Sequence, residues 1–153
     1  MTQVTVLYDA TMPGQRSLAR EIGEAVRKSG GFSLSERGVS SSGEMSDFLR
    51  ETTPENCQLL INVNLTGYEN ETTGGFAAIN RLPMDIVNVI TGSAEDVAPV
   101  LEKNQSYMSR FIFMKESEAG KAGEMFPHLW HVLWCRDAEK IAGYVKGLEL
   151  RYG

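Results

Sequence analysis

The sequence predicts an α/β fold: a three-layer αβα sandwich around a mostly parallel sheet of about six strands. Three observations carry that expectation. Short apolar runs, among them VTVLY at residues 4–8, LLINV at 59–63 and IVNVI at 86–90, alternate with segments of helical period. The second and third of these runs stay apolar nearly throughout, as strands do when both faces are covered. The chain has 153 residues, which fits one domain over 1–153 with a core of real size.

Each element follows in order. Residues 4–8 read as the first strand, broken by Asp9-Ala-Thr-Met-Pro-Gly14. Residues 17–28 follow a helical period: Leu18, Ile22, Ala25 and Val26 share one face, and Arg20, Glu21, Glu24 and Arg27 lie largely elsewhere. Gly30-Gly31 ends that helix. Residues 32–39, FSLSERGV, alternate weakly and are polar, which suits an edge strand. A loop at 40–42 leads to a short helix at 43–51 with Met45, Phe48 and Leu49 inward. Strand 59–63, a helix at 73–82 closed by Pro83, and strand 86–90 make a βαβ unit at the centre of the chain. Phe76 and Ile79 face its sheet.

Ser93 then opens a helix at 93–104, with Glu95 and Asp96 at its positive end. A strand at 109–114, a weak helix at 117–125 interrupted by Gly120 and Gly123, a strand at 129–134 and a helix at 137–150 complete the alternation. The polar second strand belongs at an edge. The expected order is therefore 2-1-3-4-5-6, with a switch point between the first and third strands.

Composition narrows the function classes. The apolar fraction is 42%, the charged fraction 23% and the formal net charge −5, with a pI near 5.1. Such a chain is globular, and its charge disfavours nucleic acid and anionic membranes as partners. No apolar stretch approaches the roughly 20 residues that span a bilayer, and MTQVTVLYD enters a strand with no signal-peptide pattern, so the expected location is cytoplasmic. The two cysteines, Cys57 and Cys135, make neither a disulfide framework nor a metal-ligand spacing. His128 and His131 are three apart: on a helix that spacing could share a face, on a strand they point opposite ways, and the surrounding Trp130 and Trp134 suggest a strand; no metal site is expected.

In an open parallel sheet ligands sit at the carboxyl ends of the strands. Three turns gather there in this reading. The first holds Asp9, Thr11, Gly14, Arg16 and Ser17, with hydroxyls, a cation and a helix start suited to an anion. The second holds Asn62, Asn64, Thr66 and Gly67, which offer amides and hydroxyls without a strong acid or base. The third is Thr91-Gly92-Ser93, which supplies helix-start amides. The expected ligand is a polar or phosphorylated small molecule, paired by Arg16 and oriented by Asn64 and Thr66. No residue stands out as a catalytic nucleophile or base.

Two resemblances accompany this reading. VTVLYDATMPGQRSLAREIGEAV resembles the opening of flavodoxin-like proteins, which implies FMN as cofactor and electron transfer as activity. It departs from that pattern at Pro13, which has no N–H for a phosphate, and at Arg16. LLINVNLTGYENETTGGFAAINRLPMDIVNVITG is similar to part of the N-terminal Rossmann-like half of GT-B-type glycosyltransferases. That likeness implies a detached half or an accessory domain without transferase activity of its own, working with a protein partner or as an oligomer. Trp130 and Trp134 would mark its contact face.

Overall fold

The computed structural model describes residues 2–63, 76–90, 111–113, 133–134 and 143. Along the chain come β1 (Thr2–Asp9), α1 (Pro13–Ser29), β2 (Phe32–Val39), α2 (Ser42–Glu51), β3 (Leu59–Asn62), α3 (Phe76–Asn80), β4 (Asp85–Ile90), β5 (Phe111–Phe113) and β6 (Leu133–Trp134). They form one sheet in the order β2-β1-β3-β4-β5-β6, and every neighbouring pair is parallel. The protein is thus α/β with the polar strand β2 at an edge. β5 and β6 enter with three and two residues, so β1 to β4 carry the described core. The helices expected at 93–104, 117–125 and 137–150 lie outside the described residues, apart from the helical Gly143.

Register fixes which side chains share a face. Val4 pairs with Leu34 and Leu59, Leu7 with Arg37 and Asn62, and Asn62 with Asn88. Alternation along each strand then sends Val4, Val6, Leu59, Ile61, Val87 and Val89 to one side. There they meet Ala19, Ile22 and Val26 of α1 in one buried cluster, with Tyr8 and Leu34 packed against it. Leu7, Arg37, Asn62 and Asn88 point to the other side. That side carries α2, whose Phe48 ring lies 5.8 Å under the Arg37 guanidinium, and α3, whose Asn80 bonds Asn88. Helices therefore cover both faces. β3 is buried at all four positions, as its unbroken apolar run requires.

α1 begins at Pro13, four residues before the apolar period suggests. Pro at the first helical position has φ already near the helical value, and its missing N–H costs nothing there. The same Met-Pro-Gly sequence looks like a breaker when only periodicity is weighed. α1 ends where Gly30, at φ 79°, donates its N–H to the Arg27 carbonyl. Gly31 follows at φ 83°. Two consecutive left-handed residues suit glycine and turn the chain directly into β2.

α2 also starts earlier than expected, by one residue. Its cap is Ser41, whose Oγ accepts the Glu44 N–H at 3.1 Å. The Glu44 carboxylate in turn accepts the Ser40 hydroxyl at 2.7 Å. This reciprocal arrangement is a variant of the capping box, shifted by one residue on the return leg.

Candidate functional site

The switch point lies between β1 and β3. β1 leads into α1 on one face, and β3, its neighbour in the sheet, is followed by α3 on the other face. Loops leaving adjacent strands for opposite faces open a crevice at the carboxyl edge. The described wall of that crevice is the turn from β1 into α1.

The turn is built around Asp9 and Gln15. The Asp9 carboxylate Oδ1 accepts the Thr11 N–H at 2.8 Å and the Thr11 hydroxyl at 2.6 Å. This is an Asx turn, a local bond that favours leaving the strand over continuing it. Gln15 Oε1 accepts the Asp9 N–H at 3.0 Å, and Gln15 Nε2 donates to Met12 Sδ at 3.4 Å. Ala10 N–H reaches back to the Val39 carbonyl of the edge strand at 2.8 Å. The Met12 carbonyl accepts from both Gln15 and Arg16, and Met12 N–H bonds the Asp9 carbonyl.

These bonds decide what the turn can offer a ligand. The amides of Asp9, Ala10, Thr11, Met12, Gln15 and Arg16 all have acceptors within the chain. Pro13 has no N–H, which leaves only the Gly14 amide without an acceptor among the described residues. A nest of several amides around a phosphate is thus not what this turn provides. Electrostatics points the other way. α1 has no side-chain cap and no acidic residue in its first turn, so nothing within the helix offsets its positive end. Arg16 adds a cation close to that end.

The expected site residues fall into three groups. Thr11, Gly14, Arg16 and Ser17 are exposed, and Asp9 is half-buried beside them. Arg16 and Ser17 continue into an open polar groove along α1 that Arg20, Glu21 and Glu24 also line. Asn62 corrects the expectation: it is 0% exposed, and its Nδ2 donates to Asn88 Oδ1 at 3.0 Å. Even pairing of β3 with β1 and β4 on both sides turns it into the core face rather than onto the rim. Asn64, Thr66, Gly67, Thr91, Gly92 and Ser93 lie outside the described residues, as do His128, His131, Trp130 and Cys135.

Two contributors escape sequence reasoning. Gln15 holds the turn from beneath; its signal is a polar residue at the spacing of Ala19, Ile22 and Val26 on the buried stripe of α1. Asn88 is a polar residue inside an apolar run, and its signal is that same interruption. Among the described residues no group of three or more His, Cys, Asp or Glu is placed to hold a metal ion, and no helix is long and apolar enough to cross a membrane.

No protein-family model matches the chain, and no curated protein does. Among solved structures it is similar to WcbI, described as a novel polysaccharide biosynthesis enzyme, with a TM-score of 0.42 and 19% identity. The similarity covers 57% of this chain and 29% of that one. The chain therefore matches less than a third of the length of that protein.

Proposed function

We propose that the protein binds a polar small molecule carrying an anionic group at the carboxyl edge of the sheet, beside the turn from β1 into α1. The observation that carries this reading is the start of α1 at the switch point, with no side-chain cap, no acid in its first turn and Arg16 next to it. Arg16 pairs the anion, the Gly14 amide adds one donor, and Thr11 and Ser17 supply hydroxyls. Asp9 is already committed to Thr11 through one carboxylate oxygen, and its role is to hold the turn in shape. Asn64, Thr66 and the 91–93 turn complete the pocket in this reading.

The flavin alternative draws less support. A phosphate wrapped by loop amides needs several of them, and this turn retains one. The reading as an accessory domain of a glycosyltransferase-like enzyme rests on sequence texture alone.

Thermal denaturation with inorganic phosphate, nucleotides, nucleotide-sugars and FMN tests the proposal. A ligand at a hundred times its Kd stabilises the folded state by about 2.7 kcal/mol. For a chain of this length that is a Tm rise of roughly 5 to 10 °C. The rise is expected with a phosphorylated compound and is expected to vanish in Arg16→Gln. A Tm unmoved by every compound, or a rise that Arg16→Gln leaves intact, overturns the reading.

A further inference from the structure

β2 stands at one end of the sheet, and the backbone bonds beside it fix which of its peptide groups face outward. The Thr2 and Ala10 N–H groups bond the Gly31 and Val39 carbonyls at 3.3 and 2.8 Å. Direction alternates along a strand, so Ser33, Ser35 and Arg37 turn their peptide groups toward β1 as well. The far side of β1 keeps the same parity: the Gln58 and Val63 N–H groups bond the Gln3 and Leu7 carbonyls, both at 2.9 Å. Phe32, Leu34, Glu36 and Gly38 therefore aim their N–H and C=O groups away from β1. None of these outward groups bonds a described residue.

β2 is also a firm template. All eight of its residues are in register with β1, from Phe32 opposite Thr2 to Val39 opposite Asp9. Arg37 is tied on the α2 side, to Glu51 at 3.1 Å and over the Phe48 ring. Ser33, Ser35 and Glu36 are exposed. A long, straight edge of this kind is a template for another strand.

We propose that the β2 edge is the interface of a two-fold dimer, in which β2 pairs antiparallel with β2 of a second copy. A two-fold axis across such an edge stands normal to the sheet, so residues of like parity stand opposite each other. Charge then selects the register. Centring on Glu36 sets two carboxylates face to face, and centring on Arg37 does the same with two guanidiniums; both are unfavourable. Centring on Leu34 leaves Gly38 unpaired. With Ser35 on the axis, Ser35 meets Ser35, Leu34 meets Glu36, Ser33 meets Arg37 and Phe32 meets Gly38. No like charges stand directly opposite, and every outward N–H over residues 32–38 meets an outward carbonyl.

α1 widens the contact. It lies over β2 at Gly23, where a Cβ would come within 2.7 Å of Leu34 Cδ2 and 3.0 Å of Glu36 Oε1. A two-fold at Ser35 sets the two α1 helices side by side on one face of a continuous sheet. The carboxyl edges of the two copies point in opposite directions, so the interface is independent of the ligand reading.

Sedimentation of the full chain at micromolar concentration tests the interface with Glu36→Pro. Proline is tolerated on an edge strand where the N–H it removes faces outward, as it does at position 36. The parent is expected to sediment with twice the mass of one chain. Glu36→Pro is expected to sediment with the mass of one chain and to keep the parent's circular dichroism spectrum. A parent of single-chain mass, or a Glu36→Pro of doubled mass, overturns the interface. Disulfide trapping in a Cys135→Ser background tests the register. Ser35 faces its own copy in a non-hydrogen-bonded pair, whose Cα separation suits a disulfide. Under mild oxidation Ser35→Cys is expected to cross-link at least about tenfold faster than Ser33→Cys, which faces Arg37 instead. Equal rates overturn the proposal. If Glu36→Pro does not fold, the trapping experiment decides alone.

Discussion

Gln15 Oε1 accepts the Asp9 N–H at 3.0 Å, and the glutamine that makes this bond is only 4% exposed. It occupies a position on the buried stripe of α1 where an aliphatic residue would ordinarily sit. From there it supports the last residue of β1 and, through Asp9, the Thr11 hydroxyl on the rim. A side chain in the core thus sets the shape of a surface turn.

Replacing Gln15 by Ala leaves the Asp9 N–H buried at one side without its acceptor. The expected loss is about 1–3 kcal/mol in urea unfolding. Faster exchange of the Ala10 and Thr11 amides is expected alongside it. Arg20→Ala, at an exposed position on the same helix, is the comparison and is expected to change stability by about 0.5 kcal/mol or less.

Apolar runs and polar edges were the legible part of this fold. LLINV and IVNVI announced buried neighbours, and the Ser, Glu and Arg of FSLSERGV announced an edge, so strand order followed. Helix starts were less legible. Met12-Pro13-Gly14 carries no apolar period, and only the φ preference of Pro13 reveals that α1 has begun. The exposed members of the first turn were legible as hydroxyls and a cation after a strand. Asn62 was not, because an asparagine at a strand end reads as rim whether it faces water or Asn88. Only the register with β4 distinguishes the two.

Glu44 links acid stability to the cap of α2. The Ser40 hydroxyl, then the Ser40 N–H, hold its carboxyl below the usual carboxylate range, and Arg37 adds to the effect. A folded-state value below the unfolded one means stabilisation that is present above the unfolded value. It is lost as pH falls through the folded one. The stability gap between the parent and Glu44→Gln is therefore expected to be open at neutral pH and to close on acidification below the usual carboxylate range. A gap of constant size from pH 7 to pH 3 would contradict the cap as the cause.

Cys57 is 1% exposed, and its Sγ donates to the Leu59 carbonyl at 3.2 Å. Burial pushes the thiol up from its ordinary value, partly offset by hydrogen bonding with Thr5. The raised value makes its contribution complete below the ordinary thiol range and lost as pH rises through the folded-state value. In a Cys135→Ser background, a thiol-reactive dye at pH 8 is expected to label the native protein at least about a hundredfold more slowly than the urea-unfolded chain. Equal rates would mean that the amino end of β3 is open to solvent.

Tyr8 and Gly38 face each other across β1 and β2, and the ring fills the space a side chain on Gly38 would need. A Cβ there would lie 2.8 Å from Tyr8 Cζ and 2.9 Å from its Cε2 and Oη. Gly38→Ala is expected to cost about 1–3 kcal/mol by overpacking. Around Gly14 nothing lies within 4 Å of such a Cβ, so Gly14→Ala is expected to be neutral or to stabilise α1 by up to about 1 kcal/mol. In Tyr8→Ala the clash at Gly38 disappears. The double variant is therefore expected to be more stable than the sum of the single losses, by about 1 kcal/mol or more in a double-mutant cycle. Strict additivity would show that the edge strand moves aside rather than the ring, and that β2 is held to β1 less firmly than its eight-residue register suggests.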